Sequence, residues 1–81
     1  MTLNELNLKR KQIYRKYAGI LERFYDTCIN TKSLTRALSA YRNYVTFAEL
    51  TGMNKYIEYS TIYMLQMGEM LSNIEELAQK E

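Results

Sequence analysis

Side chains able to do covalent or acid–base chemistry are scarce in this chain. Histidine is absent, which removes the commonest metal ligand and the commonest general base. Cys28 is the only cysteine, so neither an intrachain disulfide nor a cysteine metal cluster can form. It falls on the apolar side of its helix, where a buried, inert thiol is expected. Gly19, Gly52 and Gly68 are isolated, so there is no glycine-rich loop to cradle a phosphate. Glu22 and Asp26 stand one helical turn apart and could share a divalent ion. No further ligands are spaced to join them, and a solvated acidic edge is the plainer expectation. Glu58, Glu69 and Glu76 are expected on the solvent face of their helix. The chain therefore reads as non-enzymatic, with no catalytic residue, no metal, no cofactor and no small-molecule substrate.

The other chemistry open to it is recognition. Residues 1–42 carry nine Lys/Arg and three Asp/Glu, whereas residues 43–81 carry two Lys/Arg and six Asp/Glu. This segregation can mark a nucleic-acid-binding end or helices that attract one another side by side. On a helix, Lys9, Lys16 and Arg23 form one row at seven-residue spacing, and Lys11 and Arg15 project from the other flank. Such a helix can neutralise phosphates along a nucleic acid, with tyrosines for stacking. Equally, these cations can flank a core seam and face an acidic third helix, with Tyr17 simply core.

The elements that position these groups follow from apolar spacing. A first helix is predicted over residues 3–29. Thr2 followed by Glu5 fits a capping box, and Leu3, Leu6, Ile13, Tyr17, Ile20 and Phe24 form the seam. Arg10 interrupts that seam, while Leu21 and Cys28 widen it. Asn30 is suited to a left-handed helix end and Ser33 to an N-cap. A second helix is predicted over 34–51, with the stripe Leu34, Ala37, Leu38, Tyr41, Tyr44, Val45 and Ala48. Gly52 is a natural terminator. A third helix is predicted over 54–79, with the main stripe Met53, Ile57, Ser60, Met64, Met67, Leu71, Ile74 and Ala78. Beside it runs a second row, Tyr56, Tyr63, Met70 and Leu77. The chain has no proline to interrupt these helices. The expected fold is all-α, a single domain forming a long-short-long antiparallel three-helix bundle, with homodimerisation as a way to complete it. At 1.5 Å per residue the long helices reach ~40 Å and the short one ~27 Å, leaving ends that a monomer covers poorly.

Two local patterns resemble known families. In residues 47–54, alanine, glycine four residues later, a hydrophobic residue and a small polar residue resemble the turn of a helix-turn-helix DNA reader. The likeness covers about a dozen residues and implies that Lys55, Tyr56 and Tyr59 face a groove. Glu58 departs from it, standing where that motif has a buried aliphatic. Ala37-Leu38-x-x-Tyr41-x-x-x-Val45 resembles the second helix of tetratricopeptide hairpins and of three-helix MIT domains. That generic pattern implies only that helix 2 packs between two others.

The arc of helix 3 is wider than one neighbour requires, so an intermolecular contact is expected on its flank. The candidates are Tyr56, Tyr59, Tyr63, Met70 and Leu77, with Met64 and Met67 as core. The leading expectation is a small helical interaction or regulatory protein that binds another protein and self-associates through helix 3. The alternative is a small nucleic-acid-binding regulator using Lys9, Lys11, Arg15, Lys16, Arg23 and Lys55, or the partial turn motif around Gly52. Residues 1–7 lack the basic start and apolar core of a signal peptide, and the longest apolar run is Ile62-Tyr63-Met64-Leu65. A cytoplasmic location without membrane contact is expected.

Overall fold

The computed structural model describes residues 2–80. They form α1 (Leu3–Asn30), α2 (Leu34–Thr51), a 3-10 turn (Met53–Lys55) and α3 (Ile57–Lys80). Among the described residues there is no strand. The expected three-helix, long-short-long bundle is what forms.

Each helix boundary has a local cause. At the start of α1, the Glu5 amide donates to Thr2 Oγ1 (3.2 Å) and the Thr2 amide donates to Glu5 Oε2 (3.3 Å). This reciprocal box satisfies two of the amides that a helix start leaves without partners. The end of α1 differs from expectation. Asn30 stays helical, and the chain leaves through extended Thr31 (φ −89°, ψ 151°) instead of a left-handed residue. The Cys28 carbonyl, near that end, accepts from Asn73 Nδ2 of α3 at 2.9 Å. A tertiary contact thus supplies a partner that a left-handed cap would otherwise provide. Ser33 caps α2 as expected, its Oγ accepting from the Arg36 amide at 3.3 Å.

Gly52 terminates α2 at φ 74°, its amide donating to the Glu49 carbonyl at 3.2 Å. Here the chain needs the left-handed conformation that glycine adopts without penalty. Gly52→Ala is therefore expected to lower stability by about 1 kcal/mol, read as a lower urea midpoint at unchanged slope. The helix does not restart at Asn54. Met53 is fully buried, and the tight turn that carries it inward delays α3 to Ile57. The extended Tyr56 offers its carbonyl to the amides of Tyr59 (3.0 Å) and Ser60 (2.7 Å).

α1 and α3 run parallel in fixed register. Tyr14 pairs with Glu58, Tyr25 with Glu69 and Cys28 with Asn73, at sequence separations of 44, 44 and 45. The result is a rod of 55 × 17 × 17 Å. The same register leaves two overhangs at opposite poles. The first turns of α1, up to Ile13, extend beyond the start of α3 and are exposed throughout. The last turn of α3 extends beyond Asn30.

The core lies between these ends. It consists of Leu21 and Cys28 from α1, Ala37, Ala40, Tyr44 and Ala48 from α2, Met53 from the turn, and Tyr59 and Met70 from α3. The α2 alanines let its neighbours approach closely, and Tyr17 and Phe24 meet Phe47 edge-on with ring centroids 5.5 and 6.2 Å apart. Two expected stripes need correction. On α1, Leu3, Leu6 and Ile13 are exposed because no neighbour reaches the overhang, and the deepest contacts come from Leu21 and Cys28. On α2, Leu38 is exposed and Ala40 takes a core place that was not expected.

Candidate functional site

The larger correction concerns α3, whose buried face is rotated from the expected one. Tyr59 and Met70, expected at an intermolecular contact, are core. Tyr56, Tyr63 and Leu77 are half-buried and pack against the same core. The aromatic row goes inward because each ring finds apolar contact there, and Tyr56 and Tyr59 also find a polar partner. Tyr44 Oη donates to Gln66 Oε1 at 2.7 Å and lies 2.8 Å from Tyr59 Oη, which also reaches Gln66 Oε1 at 3.1 Å. The Tyr44 and Tyr63 rings stack at 5.8 Å. Gln66, which no apolar pattern can single out, is the acceptor that allows two phenols into the interior.

Burial holds these phenols in their neutral form. It raises the Tyr44 hydroxyl well above its ordinary value of 10.0, with the Tyr59 hydrogen bond adding to the effect. Tyr59 is also raised, chiefly by burial, while its bond to Tyr44 pulls the other way. Tyr25 is pushed up to about 12, first by its hydrogen bond to the Glu69 carboxylate. In the unfolded chain phenols ionise from about pH 10, before those of the folded chain. The contribution of these groups to stability is complete below that pH and is lost as pH rises through the raised values. Alkaline titration should show helical circular dichroism falling together with the appearance of tyrosinate absorbance. Tyrosinate forming in full while the helices persist would contradict the burial of Tyr44.

With the tyrosines turned inward, part of the expected core stripe faces solvent. Ile57 is 89% exposed, Met64 73%, Leu65 63% and Leu71 46%. Ile57, Met64 and Leu71 repeat every seven residues, and exposed Ala78 continues the row. Met64, expected in the core, is therefore surface, whereas Met67 is half-buried against the core. Gly68 lies within this face, and among the described residues no neighbouring element comes within 4 Å of where its Cβ would stand.

The cations separate into two groups. Lys9, Lys16 and Arg23 are exposed on the face of α1 that points away from α2 and α3. Arg10, Lys11 and Lys55 instead converge with Asn7 on a cleft of about 600 Å³ between the α1 overhang and the α2–α3 turn. A smaller cleft of about 210 Å³ adjoins it, lined by Lys11, Tyr14, Arg15, Tyr56 and Glu58. Glu58 is the one carboxylate of either lining. The two rings are anchored at this end. Tyr14 Oη donates to the Glu58 carbonyl at 3.3 Å and Tyr56 Oη to the Arg10 carbonyl at 3.5 Å, with centroids 5.7 Å apart. Sequence spacing brings together Lys11 and Arg15 but cannot add Lys55, which arrives through the turn. Arg10 was legible only as a break in the seam.

The turn around Gly52 does not present Tyr59 to a groove, since that side chain is buried and α3 lies along the rod. Cys28 is fully buried, and its thiol is pushed up by that burial. Among the described residues no group of three or more Cys, Asp or Glu side chains is placed to hold a metal ion, and no helix is long and apolar enough to cross a membrane. These features define a three-helix bundle with an unpartnered apolar row on α3 and a basic cleft beside the α1 overhang. Compared with protein-family models, curated proteins and solved structures, the chain matches none.

Proposed function

We propose that this is a small non-enzymatic interaction protein that self-associates through the outer face of α3. The observation that carries this reading is the row Ile57, Met64, Leu71 and Ala78, left in solvent on a helix whose opposite face is already filled. Contiguous exposed apolar surface on a small domain marks a contact site more often than a solvated face.

A second copy of the chain suits this row because the row is nearly self-complementary. In an antiparallel α3–α3 pair, Ile57 and Met64 of one copy fall opposite Ala78 and Leu71 of the other, and both pairs centre beside Gly68. A two-fold interface needs such a patch, in which the same residues serve both sides. Gly68 would let the two backbones approach closely at the centre. A glycine inside a helix costs about 1 kcal/mol relative to alanine, and nothing within the monomer requires one there. Antiparallel pairing also sets Glu75 near Thr61, whereas parallel pairing sets it against its own copy, where like charges repel.

Sedimentation equilibrium over a wide concentration range tests the reading. Reversible dimerisation with a mass twice that of the 9.6 kDa chain is expected. A strict monomer at high concentration would overturn it.

A further inference from the structure

We propose that the cleft between the α1 overhang and the α2–α3 turn is a binding site for a phosphate ester of nucleotide size. This narrows the nucleic-acid alternative expected from the sequence to one cleft, whose lining meets the outer face of α3 at Ile57.

The cleft has suitable dimensions. Its volume of about 600 Å³ lies within the ~300–1,000 Å³ of small-molecule sites, and the adjoining 210 Å³ space extends it along α1. Its charge is one-sided, with Arg10, Lys11 and Lys55 against the single carboxylate of Glu58. An arginine fork and two lysines offer both directional donors and point charges to phosphate oxygens.

The placement of Arg10 adds weight to this assignment. The inward line of α1 runs through Tyr17 and Phe24, and the same seven-residue step reaches back to Arg10. A position that is apolar wherever the bundle covers it becomes cationic where it faces the cleft. A solvated cation needs no such position, and the outer row Lys9, Lys16 and Arg23 shows where those lie.

The second space supplies the other half of a nucleotide site. Tyr14 and Tyr56 stand in its wall, each held by a hydrogen bond across the α1–α3 junction. An anchored ring loses little freedom when a base packs on it, and aromatic packing is tolerant of base identity. The ligand chemistry is thus a phosphate beside a planar ring, and it could come from a free nucleotide or from one strand of a nucleic acid.

Titration at low salt, followed through the amide chemical shifts of Gly52 and Lys55 to Glu58, distinguishes the sources. The probes are adenosine monophosphate, a short oligothymidylate and an oligoglutamate peptide. Saturable shifts with adenosine monophosphate support a free-nucleotide site, and shifts with oligothymidylate alone support a strand. In both cases binding weakens as salt rises. Arg10→Gln with Lys55→Gln should weaken binding about tenfold or more. At about 0.15 M salt, where screening acts within about 8 Å, replacing Lys9, Lys16 and Arg23 together by glutamine should leave it within about twofold. Glu58→Gln removes the one opposing charge and should tighten it several-fold, an outcome that a misfolded variant cannot imitate. No shift with any probe at low salt would overturn the proposal, as would equal binding of oligoglutamate or equal loss in the outer-row variant.

Discussion

Truncating Tyr44 to alanine is expected to remove about 3–5 kcal/mol of folding stability, the range for deleting a buried aromatic side chain. A domain of this length has about 4–12 kcal/mol in total, so the variant should lose a large part of its stability. Tyr44 is the one aromatic residue with no exposed surface, and it sits where α2 meets Tyr59, Tyr63 and Gln66 of α3. The more informative variant is Tyr44→Phe. It keeps the ring and leaves Tyr59 free to donate to Gln66, so the cost should be only about 1 kcal/mol. Gln66→Leu should cost more, about 1–3 kcal/mol, because one of two hydroxyl protons then lacks an acceptor. Urea denaturation of the three variants separates ring volume from hydrogen bonding. A cost below about 1 kcal/mol for Tyr44→Ala would be incompatible with the burial described.

Met64→Glu should weaken self-association strongly. A charge at the centre of an apolar contact costs more than about 2 kcal/mol, or about thirtyfold in the dissociation constant. Because Met64 is surface in the monomer, thermal stability measured at dilution should barely change. Gly68→Ala provides the complementary test. It should stabilise the isolated monomer by about 1 kcal/mol, yet weaken the pair by separating the two backbones. Gly19→Ala is the control. Gly19 is an exposed α1 glycine with nothing within 4 Å of its Cβ position, so only the stabilising half of the effect is expected. Opposite signs for Gly68→Ala in monomer stability and in association are hard to obtain without a helix packed on that face. A Gly68→Ala variant that associates as the parent does would remove α3 from the contact.

Most of the fold was legible because its signals are local. The Thr2–Glu5 box, the Ser33 cap and the Gly52 terminator each act within four residues, and each is found where the sequence places it. The start of α3 was missed because the 3-10 turn serves a tertiary need, the burial of Met53. The rotation of α3 was missed for a related reason. Ile57, Met64 and Leu71 are as apolar as Tyr59, Tyr63 and Met70, so periodicity alone gives two faces of similar strength. The choice between them falls to the Tyr44–Tyr59–Gln66 bonds, which join residues 15 and 22 positions apart. A glutamine on the buried side carries no apolar signal. The cleft was half legible. Lys11 and Arg15 share a helix flank, but Lys55 joins them only once the register of α1 against α3 is known. Seam position 10 shows its purpose only when the length of the overhang is seen.

The clasp between Asn73 and the Cys28 carbonyl has a kinetic meaning. Contacts between α1 and α2 close across a three-residue connection, whereas those between α1 and α3 wait for partners 44 to 46 residues away. Loop closure favours the α1–α2 and α2–α3 hairpins, whose contacts are local, and leaves the α1–α3 seam to close last. The reverse order governs transient opening, in which the α1–α3 seam parts before either hairpin does. Cys28 is the lone thiol, fully buried beside that clasp, so its modification by a disulfide reagent needs such an excursion. The labelling rate of the native protein is thus a clock for the parting of that seam, built into the chain without any added probe.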